Sequence, residues 1–160
     1  MRIVLLLCLP IFVTIIAGCT SFSSAFGYSV SVANAGCKTI YVNEMVVTPQ
    51  QTNRINSVPP NEYKKGEQAS YGAFTGMPYE EVTVKWNLVE TGKEYTQKVI
   101  IKLPKGFYNK EWGSRIIFVI NSDKEQIRVA YDIFDEREEE YVIVDSEGKP
   151  FPIDDYAETE

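Results

Sequence analysis

The stretch from Val82 to Leu103 leaves this chain little choice of fold. Val82, Val84, Trp86 and Leu88 alternate with Thr83, Lys85 and Asn87. A period of two sends successive side chains to opposite faces of an extended chain, so the run reads as a half-buried strand. Thr91-Gly92-Lys93 supplies a turn, and Tyr95, Gln97, Val99, Ile101 and Leu103 form the returning face. Two such runs around a glycine-containing turn predict a β-hairpin. Trp86 is the candidate centre of its core.

Similar signals recur along the chain. Tyr28 to Asn34 alternates, with Val30 and Val32 on one face, and Ala35-Gly36 turns the chain. Lys38 to Thr48 is β-branched, with Ile40 and Val42 on one side, and Pro49 ends it. Gln50 to Gln68 is the longest irregular stretch, and its Pro59-Pro60 excludes both helix and central strand. A loop of that length is either functional or a solvated crossover between sheets. Ala69 to Thr75 fits a short strand, and Gly76-Met77-Pro78 breaks it. Arg115 to Asn121 is nearly all apolar, as expected for a strand buried on both faces or packed between sheets. Ile127, Val129, Tyr131 and Ile133 alternate after a turn, predicting a second hairpin. Tyr141 to Val144 fits an edge strand, and Glu147-Gly148-Lys149-Pro150 a turn. No segment carries an amphipathic-helix pattern. Seven or eight short strands predict an all-β fold, an antiparallel β-sandwich, with a partly open barrel as the alternative. The Cys–Trp–Cys spacing of immunoglobulin domains is missing.

The N-terminus carries a different message. Arg2 precedes an apolar run from Ile3 to Ile16, shorter than the ~20 residues a spanning helix needs. A short positive start, an apolar run and a small-residue exit make a secretory signal. The exit, Ile16-Ala17-Gly18-Cys19, resembles the lipobox of bacterial lipoproteins, with Ile16 in place of the commonest Leu. The resemblance implies cleavage between Gly18 and Cys19, a diacylglycerol thioether on the Cys19 sulfur, and acylation of the new amine. Two or three acyl chains, at about 0.8 kcal/mol per buried CH₂, give stable anchoring. An ordinary secretory signal with a coincidental cysteine is the competing reading, and an uncleaved anchor is another. Thr20, as a non-Asp residue after the cysteine, implies the outer membrane in an enteric-type host. The expected organisation is a signal peptide over 1–18, a lipidated tether over 19–27, a sandwich domain over 28–146 and an acidic tail over 147–160, fraying from Asp154.

Removal of the signal leaves 142 residues, enough for one domain with a real core. Histidine is absent from the sequence. That removes Ser-His-Asp and Cys-His catalysis, histidine general acid–base work and His-ligated zinc. With Cys8 lost and Cys19 lipidated, Cys37 stands alone; it is expected to be a buried apolar filler, or else to form an intermolecular disulfide. Charge is uneven: +3 from Cys19 to Asn121, and −10 from Ser122 to Glu160. An acidic end disfavours nucleic acid and anionic lipid as partners, and predicts that this end is held off the membrane.

Two groups are candidate binding residues. Asp135, Glu136, Glu138, Glu139 and Glu140 form the strongest charge run. They lack the Asp/Asn-Gly spacing of a calcium loop, and nothing sets two of them across a cleft as a glycosidase needs. They fit a solvated face, an edge-strand guard, or a docking patch for a basic partner. Phe107, Tyr108 and Trp112 lie between strands. Exposed, they would anchor an interface; buried, they would cap one end of the sandwich. No catalytic residue, metal ligand or cofactor site is assigned.

The body resembles a group of small bacterial lipoproteins through Met77-Pro78-Tyr79-Glu80-Glu81-Val82-Thr83-Val84-Lys85-Trp86 followed by Glu94-Tyr95. Some of that group look like immunity lipoproteins against periplasmic toxins, including type VI secretion lipases. The expectation is a non-enzymatic binding protein, lipid-anchored in the bacterial envelope and facing the periplasm, with a protein partner and no metal. Its concrete form is an immunity protein. The alternative is an envelope structural or assembly lipoprotein.

Overall fold

The computed structural model describes residues 27–48, 58–75, 80–108 and 113–152. Nine strands form over these residues: β1 (Gly27–Asn34), β2 (Ile40–Thr48), β3 (Asn61–Tyr63), β4 (Gln68–Thr75), β5 (Glu81–Leu88), β6 (Glu94–Ile100), β7 (Ser114–Asn121), β8 (Gln126–Asp135) and β9 (Glu140–Val144). They make two sheets, one ordered β4-β1-β7-β8-β9 and the other β3-β2-β5-β6. The fold is an all-β sandwich, and not a closed barrel. The strand beyond the expected eight is β3. It occupies three residues at a sheet edge directly after Pro59-Pro60, where proline's missing N–H costs the ladder nothing.

Both predicted hairpins form. Trp86 pairs with Tyr95 across β5 and β6, with rings stacked 4.2 Å apart, and Ile116 pairs with Tyr131 across β7 and β8. All neighbouring strands run antiparallel except β1 and β7, which are parallel with Tyr28 beside Ser114 and Asn34 beside Ile120. A parallel pair needs a long crossover between its strands, and here the second sheet supplies it.

The core lies between the sheets. Val30 and Val32 of β1, with Ile116, Phe118 and Ile120 of β7, face Ile40 and Val42 of β2, and Val82, Val84 and Trp86 of β5. Trp86 is fully buried. An aromatic of this kind removes about 150–250 Å² from water, a gross gain of roughly 4–6 kcal/mol before entropy is subtracted. The register of β2 slips between Val42 and Glu44. One extra residue at a bulge inverts the alternation, so Met45, and not Glu44, continues the buried row of Ile40 and Val42. Sheet faces are covered on the other side of β7 as well, as its apolar run predicts. Ala33, Ala35, Ile117, Val119 and Ala130 pack there with Phe151, whose N–H donates to the Ile143 carbonyl. The segment after the 147–149 turn is thus part of the folded body up to Phe151.

The sheets are stitched at one end by a buried asparagine. Asn34 Nδ2 donates to the carbonyls of Lys38 (2.8 Å) and Tyr63 (3.0 Å), and Asn34 Oδ1 accepts from the Gly36 N–H. Asn34 belongs to β1 and Tyr63 to β3, so these bonds cross from one sheet to the other. Cys37 corrects an expectation. It is exposed, its N–H donating to Asp123 Oδ2 at 2.7 Å. The β1–β2 turn packs by its backbone against the β7–β8 turn through Gly36 and Ser122, which leaves the next side chain on the rim.

Candidate functional site

The acidic run and the surface beside it converge at one end of the five-stranded sheet. Register places Tyr28 beside Ser114, Arg115 opposite Asp132, Phe134 opposite Tyr141, and Asp135 opposite Glu140. Residues 136–139 turn β8 into β9. Asp135 Oδ1 accepts the Arg137 N–H at 2.9 Å, which holds the turn, and Glu139 takes a left-handed conformation at φ 54° to close it. Glu136, Glu138, Glu139 and Glu140 are exposed and Asp135 is half-buried. Tyr141 follows them, 49% exposed, its ring edge-on to Phe134 at 5.5 Å.

A cleft of about 280 Å³ opens beside this turn, between Ser29, Arg115, Asp132 and Tyr141, with Tyr28 and Ser114 at its floor. The Arg115 Nε atom is buried with no hydrogen-bond partner and lies 3.8 Å from Asp132 Oδ2, too long for a hydrogen bond. Burial therefore dominates at Asp132 and raises its carboxyl above the ordinary range, with the Arg115 charge pulling it part of the way back. The cleft is lined by one guanidinium, one reluctant carboxylate and four hydroxyl-bearing side chains, those of Tyr28, Ser29, Ser114 and Tyr141. It pairs opposite charges and can bind polar groups. Among the described residues no three Asp, Glu or Cys side chains converge to hold a metal.

The aromatic candidates part company. Phe107 is buried against Tyr28, Tyr108 and Tyr131, at ring distances of 6.2, 5.5 and 5.9 Å. It caps the core rather than presenting an anchor. Tyr108 is half-buried, and burial raises its phenol. Trp112 lies outside the described residues, as do Gly18 and Cys19. Tyr131 beneath Phe107 is pushed up to about 12 by burial, and its hydroxyl accepts the Lys102 N–H.

Register also fixes the end of the sheet that the acidic turn occupies. Asp135 and Glu140 lie one register step beyond Gly27, so the β8–β9 turn sits at the end of the sheet where β1 begins. Arg115, Asp132 and Tyr141 were not singled out by sequence reasoning. The available signals were an arginine heading an apolar run and an aspartate within an alternating strand. Only the β7–β8 register unites them.

No protein-family model matches the chain, and no curated protein or solved structure matches it either.

Proposed function

We propose that this protein is a lipid-anchored, non-enzymatic binding protein of the bacterial cell envelope, held through Cys19 and facing the periplasm, probed by its partner at the β8–β9 turn. The observation that carries the reading is the exposed acidic turn, Asp135 to Glu140, set beside exposed Tyr141 and the Arg115–Asp132 cleft. Concentrated carboxylates steer and orient a basic protein surface, and an exposed tyrosine adds rigid contact area. The lipobox supports the anchor. Residues 19–26 span at most about 29 Å when extended, so the turn works close to the bilayer.

Its most concrete form is immunity against a secreted toxin such as a type VI lipase, supported by the resemblance around Met77 to Trp86. A toxin that attacks lipid must approach the membrane surface, where a turn near the anchor would meet it. The test is a toxin challenge of cells lacking the gene. Sensitivity should appear on deletion, be reversed by the wild-type gene, and persist with Glu138, Glu139 and Glu140 all changed to Lys. Deletion cells as resistant as the parent would exclude immunity, and crosslinking to envelope machinery alone would favour a structural role. Mass spectrometry showing an unmodified Cys19 in the membrane fraction would remove the anchor.

A further inference from the structure

Of the strands that end the two sheets, β3 is only three residues long behind Pro59-Pro60. The later part of β9 is capped by a bridge from Val144 to Pro150 and by the Phe151 N–H bond to Ile143. β6 differs from both, and from β4 at the remaining edge, whose ladder with β1 is broken by a register shift between Ser29 and Val30: it is seven residues long, without proline or bulge, at the edge of the four-stranded sheet. The Leu88 N–H bond to the Lys93 carbonyl and the Ile101 N–H bond to the Glu80 carbonyl fix its hydrogen-bonding parity. Odd-numbered residues of β6 exchange bonds with β5, so the N–H and C=O groups of Glu94, Thr96, Lys98 and Ile100 point away from it. No other described strand pairs with them.

Edges are commonly guarded by charge. Here the charges do the opposite, because Glu94 and Lys98 have opposite sign and share the exposed face four residues apart. When such a strand meets a second copy antiparallel about a two-fold axis at the residue midway, each glutamate faces the other copy's lysine. The midway residue is Thr96. The hydrogen-bonding parity agrees, since Glu94, Thr96 and Lys98 all carry outward backbone groups. The same register brings Ile100, 66% exposed, onto the second copy's turn at Gly92, which also carries Val89, 45% exposed.

We propose that β6 is a self-pairing edge, through which two copies of this chain join antiparallel about Thr96 into one continuous sheet with Glu94–Lys98 pairs on both sides of the axis. Lys98 already bonds Glu81 at 3.0 Å, and the second copy's Glu94 extends that pair into a network. The assembly closes as a dimer, because β3 at the far edge of the same sheet is too short to propagate pairing. A strand-pair interface is small, so confinement of both copies to one membrane raises its occupancy.

The test uses the full-length chain in membranes, with Cys37→Ser throughout. At the axis Thr96 meets its own copy at a Cα separation of about 5.5 Å, within the roughly 4.4–6.8 Å that a disulfide spans. Mild oxidation of Thr96→Cys should give covalent dimer several-fold above Lys85→Cys, a control on the exposed face of β5. Adding Lys98→Glu sets carboxylate against carboxylate and should return the yield to the control level. Adding Glu94→Lys as well should restore it. Circular dichroism confirms that each variant is folded. A Thr96→Cys yield no higher than the control overturns the proposal, and so does a double charge exchange that stays at the level of Lys98→Glu.

Discussion

Replacing Asn34 with Ala tests how the two sheets are held in register. Asn34 is 1% exposed, and its amide makes three hydrogen bonds. The truncation strands the Tyr63 carbonyl and the Gly36 N–H, both in buried bonds, while the Lys38 carbonyl can rehydrate. Each buried group left unpaired costs roughly 1–3 kcal/mol, and a lost half-buried bond about 1 kcal/mol. The expected loss is about 3–7 kcal/mol, a large part of the roughly 5–15 kcal/mol that stabilises an ordinary domain. At a urea m-value of about 2 kcal/mol per molar, the midpoint should fall by about 1.5–3.5 M with m unchanged. Tryptophan fluorescence reports the transition, because Trp86 lies in the core between the sheets. Asn43→Ala serves as the control: it removes an exposed bond to Asn87 and should stay within about 0.5 kcal/mol. An Asn34→Ala shift no larger than the control's would show that the inter-sheet bonds carry no net stability, and the reasoning would fail.

Two further outcomes follow from neighbouring features. A Cβ on Gly36 would lie 2.1 Å from Ser122 Oγ and 2.4 Å from the Ser122 backbone nitrogen, so Gly36→Ala must separate the two turns. It should cost about 1–3 kcal/mol in the same urea assay, as overpacking does, and unchanged stability would refute the close approach. Asp132 holds its proton longer in the folded state, because burial raises its carboxyl above 3.8. Its contribution to stability is therefore greatest at low pH and declines as pH rises through that ordinary value and above. Asp132→Asn should gain on the wild type over this window, measured as the midpoint difference from pH 3 to 7; a difference that shrinks with rising pH reverses the sign and overturns the assignment.

What could be read from the sequence was local. The β5–β6 and β7–β8 hairpins follow from alternation within a dozen residues of a turn. The charge run from Asp135 to Glu140 needed only inspection. Pairing between distant segments left no comparable mark. β1 lies beside β7 although more than eighty positions separate Tyr28 from Ser114, and that pairing decides which end of the sheet the acidic turn occupies. Asn34 reads only as the last residue of a strand, because nothing local announces that its amide will reach the Tyr63 carbonyl. β3 is hidden by its own brevity behind two prolines. Cys37 was misjudged because cysteine's general preference for burial says nothing about a residue in a turn whose glycine takes the close contact. The Arg115–Asp132 cleft exists only once the β7–β8 register is known.

The position of β1 also has a mechanical side. It lies inside its sheet, with β4 on one flank and β7 on the other, and the chain enters it at Gly27. A pull on the chain ahead of Gly27 acts along the strand, whereas the ladder bonds run across it, squarely to β4 and aslant to β7. The load is then shared in shear by both ladders at once, and no bond can be peeled open ahead of the rest. A domain tugged from this end resists as a whole, so its first strand yields only when both ladders do.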